Sequence, residues 1–208
     1  MARFDDRKHA GDKLAELLGD FRDRENVHIV ALSIGALPVA RAIADAIDAP
    51  LTLLPTRELA GLLGPRPVLG AIAPPDVRVL DFETAHTYQI SDQSIDVLEK
   101  REREELERIE QRLGDNQRWD ELEEGNLVLV LDCLRSPSVV QAALQALDKS
   151  PDQVVIAAPF AAESALTGFS EENVRVLHRE EDKALTDCFA HEPEPDIEQA
   201  RDFLDEET

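Results

Sequence analysis

The feature that most constrains this chain is a repeated alternation of short apolar runs, rich in β-branched residues, with stretches of helical periodicity. Residues 127–131, Leu-Val-Leu-Val-Leu, form the strongest of these runs. A segment of that length with no polar interruption, ended by Asp132, reads as a strand covered on both faces, as strands of parallel sheets are. Residues 27–33 and 154–158 repeat the pattern, and 51–54 and 174–177 give shorter versions of it. Helical spacing follows at 37–47, 138–147 and 161–169. Strands alternating with helices imply an α/β fold whose mostly parallel sheet carries helices on both faces, because right-handed crossovers return the chain to the same end of the sheet.

Three segments stand outside that alternation. Residues 5–22 place Ala10, Leu14, Leu17, Leu18 and Phe21 at helical spacing among charges, which predicts an amphipathic opening helix. Residues 68–72 and 77–82, separated by Pro74-Pro75-Asp76, predict a small antiparallel hairpin. Residues 91–118 predict a long charged helix with Ile95, Leu98, Leu106, Ile109 and Leu113 on a narrow stripe. That helix reads as a solvated arm, with docking to a partner as the alternative. After His178 the sequence turns acidic and is broken by Pro193 and Pro195, with a last helix expected over 196–204. We therefore expect one domain over residues 1–180 and a loosely held acidic tail over 181–208.

Composition narrows the function classes. With 22 basic and 44 acidic residues the net charge is −22, which disfavours nucleic acid, whose phosphates are bound by Lys and Arg. Such a surface is tolerated best where concentrated salt screens self-repulsion, so a halophilic source is expected. The first residues are too charged for a signal peptide and the apolar runs too short for a membrane span, which predicts a cytoplasmic protein without a membrane partner. In that reducing setting a disulfide between Cys133 and Cys188 has little support, and Cys133 reads as a small core residue ending a strand. The spacing of Cys188 and His191 suits metal ligands, but two further ligands in pattern are missing, so no metal site is expected.

The order of segments resembles a bacterial and archaeal phosphoribosyltransferase-domain family of the type I fold. The likeness runs from about Phe4 to Pro159. Phe4-Asp5-Asp6-Arg7 with Ala10-Gly11 and Leu14-Ala15 resembles the family's opening, and Pro38-Val39-Ala40 follows its first strand turn. Over residues 57–72 the family block is kept at Arg57, Leu59, Pro65 or its neighbour, Gly70, Ala71 and Ile72, and the core of the long helix is similar over 102–108. What the resemblance implies for chemistry is a phosphate loop of the form Val-Asp-Asp-Gly-x-Ala-Thr-Gly-x-Thr at the end of the central strand. There, two acidic residues hold ribose hydroxyls and a glycine-rich turn wraps a 5′-phosphate at a helix N-terminus.

This chain departs from that pattern. Its loop reads Asp132-Cys133-Leu134-Arg135-Ser136-Pro137-Ser138, so only Asp132 of the acidic pair is kept, and Leu134 stands where glycine is expected. A positive φ there would be penalised, predicting a misshapen cradle. Ser136-Pro137 has the form of an N-cap followed by proline at the first helical position, so the loop should cap its own helix. The family's Pro-Arg-Gly-Gly turn is here Ser33-Ile34-Gly35-Ala36, and its Arg-Lys pair is Arg57-Glu58. These changes predict a protein that has lost transferase activity and acts as a binding or regulatory module for a nucleotide or small phosphorylated ligand. Candidate ligand contacts are Asp132, Arg135, Ser136, Ser138, Arg57, Ser33 and Gly35, with no catalytic or metal-binding residue assigned. The alternative is an active transferase with a rearranged site using Mg²⁺ and phosphoribosyl pyrophosphate. A homo-oligomer is left open.

Overall fold

The computed structural model describes residues 4–61, 67–114, 119, 122, 125–148, 151–181, 188–189 and 192–205. Helix α1 (Arg7–Leu17) begins at Asp6, whose carboxylate accepts the His9 N–H at 2.7 Å. Strand β1 (Val27–Ala31) then leads through a 3₁₀ turn into α2 (Leu37–Ile47), and β2 (Leu51–Leu53) returns beside β1 in parallel. Helices α1 and α2 lie against each other so closely that a Cβ on Gly11 would sit 2.6 Å from the Val39 carbonyl oxygen. Glycine is what lets the two backbones approach.

The central strand β6 (Asn126–Val130) pairs in parallel with β1 on one side and with β8 (Gln153–Ala162) on the other. The first half of β8 pairs with β6 and its second half with the two-residue strand β7 (Cys133–Leu134), while β9 (Val174–Glu180) pairs with β8 along its other edge. All six strands of this sheet are parallel, and α5 (Pro137–Leu147) crosses from β7 back to β8. Alternation along β6 explains its sequence. Leu127 and Leu129 pack with Val140 and Ala143 of α5 on one face, whereas Val128 and Val130 pack with Leu14, Leu37 and Ile43 of α1 and α2 on the other. Both faces are dry, so both sets of side chains are apolar.

A second sheet of three antiparallel strands, β3 (Arg57–Ala60), β4 (Val68–Ala73) and β5 (Val77–Leu80), stands beside the first. It contains the expected hairpin and adds β3, whose Arg-Glu-Leu-Ala sequence carries no strand signal. Helix α3 (Phe82–Thr87) follows β5, so the second hairpin strand ends earlier than its expected limit at residue 82.

Two expectations are corrected. The helix expected over 161–169 is absent: β8 continues through Ala162, and only the 3₁₀ turn Ser164–Leu166 follows. Alanine favours helix as an isolated residue, but Ala161 is fixed between Leu134 and Arg179 in the ladder, and pairing on both edges overrides propensity. The long helix α4 (Asp92–Leu113) is no solvated arm, because Ile95, Leu106, Ile109 and Leu113 are buried, as is Glu102. Its stripe lies against β3, β4 and α6 (Ile197–Asp205). The expected continuation of α4 to residue 118 falls outside the described residues, as does Pro65. No helix among the described residues is long and apolar enough to cross a membrane.

Candidate functional site

The C-terminal ends of β1 and β6 open into a cleft of about 390 Å³, walled on its far side by β3 and α4. In parallel sheets this is the end at which ligands are bound, where loops leave adjacent strands in different directions. Two such loops meet here, and a third wall comes from the acidic tail.

The loop after β1 holds Ser33 and Gly35. Ser33 Oγ accepts the Ala36 N–H at 3.1 Å and so caps the 3₁₀ turn. The Gly35 N–H points out of that turn and donates to Glu194 Oε1 at 3.1 Å. A Cβ at Gly35 would lie 2.8 Å from Asp132 Oδ2, so the absence of a side chain lets the two strand-end loops touch.

The loop after β6 is built differently. Ser136 Oγ accepts the Ser138 N–H at 3.2 Å and lies 3.1 Å from the Ser138 hydroxyl, with Pro137 at the first helical position. The expected self-capping of α5 is therefore present, and both serines are buried and turned away from the cleft. The expected strain at Leu134 is not: none of residues 131–138 has a positive φ. Instead of forming a distorted cradle, Cys133 and Leu134 extend as β7, and Leu134 is wholly buried against β8. An apolar side chain at this point is better placed by adding a strand than by following a glycine turn.

Arginines and carboxylates line the cleft in pairs. Arg57 binds Glu102 through Nε and Nη2 at 2.9 and 2.7 Å, and Arg101 Nε meets the other oxygen of Glu102 at 2.9 Å. Arg135 is paired with Glu58 across the cleft mouth. Burial holds the Glu58 carboxyl above the ordinary carboxylate range, an effect that the adjacent Arg135 only partly offsets. Arg7, buried at the start of α1, reaches Asp132 Oδ2 at 3.5 Å and the Glu192 and Pro193 carbonyls at 2.9 and 3.3 Å, and its backbone N–H donates to Glu192 Oε2 at 2.7 Å. The guanidinium also lies 4.7 Å from the centre of the Phe189 ring.

Cys133 and Cys188 are joined as a disulfide, with Cα atoms 6.3 Å apart. This overturns the expectation of two unpaired cysteines. Separation along the chain says nothing about distance once β7 brings Cys133 to the cleft floor and the tail folds back over it. No group of three or more His, Cys, Asp or Glu side chains positioned to hold a metal occurs among the described residues, and His191, the expected companion of Cys188, lies outside them. The cleft carboxylates do not fit a Mg²⁺ ion as they stand. Asp132 is turned to Arg7, Glu58 to Arg135, Glu102 to two arginines and Glu194 to a backbone amide.

Of the sequence candidates, Asp132, Arg135, Arg57 and Ser33 thus line one cleft, Gly35 touches it through Glu194, and Ser136 and Ser138 do not reach it. Arg101, Glu102, Glu192 and Glu194 join them as cleft or tail contacts that the sequence does not announce. The first two are hidden in a charge run, and the tail glutamates in a segment expected to be loose. Arg7 had a signal, since it belongs to the opening block that carries the resemblance.

No protein-family model matches the chain. Two curated proteins of Mycobacterium tuberculosis, from strains CDC 1551 / Oshkosh and H37Rv, each bear the name "Putative phosphoribosyl transferase" and are each 30% identical to it over 171 residues. The match takes in 82% of this chain, which spans 38% of the length of those relatives. The solved structure of TT1426 from Thermus thermophilus is 25% identical, covers 97% of both chains and superposes with a TM-score of 0.67. Along most of its length the chain is thus similar to part of two proteins that carry the phosphoribosyl transferase name, and its parallel sheet with an adjoining antiparallel one is a phosphoribosyltransferase-like α/β fold.

Proposed function

We propose that this protein has given up transferase chemistry and uses the cleft to bind a nucleotide or another small phosphorylated ligand, as a binding or regulatory module. The observation that carries this reading is the pairing of the cleft arginines. Arg7, Arg57, Arg101 and Arg135 each already face a carboxylate, so a donor bearing a pyrophosphate would have to displace Asp132, Glu102 or Glu58 from its partner. An anion held within about 4 Å of an unrelieved carboxylate meets roughly 1 to 4 kcal/mol of repulsion at water-like to intermediate effective dielectric. The α5 N-terminus supports the same reading, since Pro137 has no N–H and the Ser138 N–H is taken by Ser136. A ligand with fewer charges and a ribose would still find Asp132 and the Arg57 side chain at the cleft wall.

The test is turnover. Purified protein incubated in high salt with phosphoribosyl pyrophosphate, Mg²⁺ and each common nucleobase should release no pyrophosphate, while calorimetric titration with nucleoside monophosphates should give a saturable signal. Pyrophosphate release above the uncatalysed rate would establish the second reading, an active transferase with a rearranged site, which the name of the M. tuberculosis relatives favours.

A further inference from the structure

The tail makes contacts with the cleft that are chemically of one kind. Glu194 presents a carboxylate oxygen to the Gly35 N–H at 3.1 Å, and Glu192 presents one to the Arg7 backbone N–H at 2.7 Å and to Arg7 Nη1 at 3.4 Å. Both are anions seated on donors at the cleft mouth. The fit of the guanidinium is incomplete, because Arg7 Nε is buried without a hydrogen-bond partner among the described residues. Just ahead of these glutamates, Cys188 is bonded to Cys133 in the loop after β6. Two independent features, a pair of carboxylates and a covalent tie, thus fix one segment over one opening.

We propose that Cys188 and the Glu192 and Glu194 carboxylates form a redox-latched internal inhibitor: the carboxylates occupy the donors that an incoming anion would use, and the Cys133–Cys188 disulfide holds them there. A tethered anion competes at a high effective concentration set by its tether, and the Cys133–Cys188 bond anchors that tether close in sequence to both glutamates. Opening the latch is a thiol–disulfide exchange. A thiolate of a dithiol reductant attacks one sulfur, the Cys133–Cys188 bond breaks, and the second reductant thiol resolves the mixed disulfide. The reductant leaves as its own disulfide, and its two electrons and two protons pass to Cys133 and Cys188 as thiols. Both cysteines are only half-buried, Cys133 lying in the two-residue β7 and Cys188 outside the strands, so exchange leaves β1, β6 and β8 in place. This inference deepens the proposed ligand cleft by naming its regulation, and it holds whether or not any transferase activity remains.

The experiment uses the full chain, air-oxidised or reduced with dithiothreitol, with free thiols counted by alkylation and mass spectrometry. Inorganic phosphate is titrated by calorimetry, and exchange of the Gly35 amide is followed in the same samples. Reduction should tighten phosphate binding about tenfold, the factor for a cleft open about a tenth of the time when latched, and should speed exchange at Gly35. Cys188→Ser should behave as the reduced protein without reductant, and the Glu192→Gln/Glu194→Gln double variant should bind more tightly even when oxidised. The proposal is overturned if the oxidised protein carries two free thiols, if phosphate fails to bind in the reduced protein, or if affinity and exchange are the same in both states. Pyrophosphate release from phosphoribosyl pyrophosphate would instead overturn the loss of activity and leave the latch intact.

Discussion

The loops that follow β1 and β6 occupy equivalent places at the end of one parallel sheet, yet they dispose of their backbone donors in opposite ways. After β6, Ser136 accepts the Ser138 N–H and Pro137 removes a second donor, so two positions at the start of α5 are closed by their own neighbours. After β1, the Gly35 N–H is met by Glu194, which lies 159 positions away. One loop is satisfied by its own neighbours and the other by a segment that could leave. Ligand binding is recoverable on one side only: a donor lent to a distant carboxylate returns when that carboxylate moves, whereas a donor taken by the adjoining serine does not.

The largest effect is expected from Arg7→Met, which removes the cation that joins the tail to Asp132. Asp132 and Glu192 are partly exposed, so losing these charge-assisted bonds should cost about 2 kcal/mol, and urea unfolding should show a loss of that order. The tail should become protease-sensitive while α5 keeps its protection, and loss of both together would deny that the loops are independent. Ser136→Ala acts on the other side. It deletes the cap of α5 and should cost ~1 kcal/mol, read from the denaturation midpoint, with no change in exchange at Gly35. If Gly35 did respond, the two loops would be coupled through Asp132 more tightly than their separate hydrogen bonding implies.

The smallest effect concerns pH. Glu58 has a folded-state pKa raised by burial, so the folded protein holds its proton more firmly than the unfolded chain does. The associated stability is present below the unfolded value and is lost as pH rises from there through the folded value. Thermal melts over that window should therefore fall with pH more gently in Glu58→Gln than in the parent. An identical pH slope in the two proteins would mean that Glu58 is as well solvated in the folded state as in the unfolded one.

Much of the scaffold was legible because its signal is periodic. The buried run at 127–131 and the helix at 37–47 are found where spacing put them, and α2 has those same limits. Strand β3 escaped because its pairing with β4 is established by tertiary contact rather than by any alternation in Arg-Glu-Leu-Ala. The end of β8 escaped because alanines carry no preference strong enough to compete with a ladder on each edge. In the site, the self-capped serines could be read from local chemistry, since Ser-Pro acts within one turn. The pairings of Arg7 with Glu192, Arg57 with Glu102 and Cys133 with Cys188 could not, because each joins segments that only the completed fold brings together.

The hydrogen bond from Arg7 to Glu192 spans 185 positions, and that separation sets an order of events during synthesis. Arg7 leaves the ribosome before any of the strands, every strand from β1 to β9 emerges before Cys188, and contacts so distant in sequence form late. A nascent chain consequently carries an assembled sheet with an uncovered cleft until the acidic segment arrives to close it.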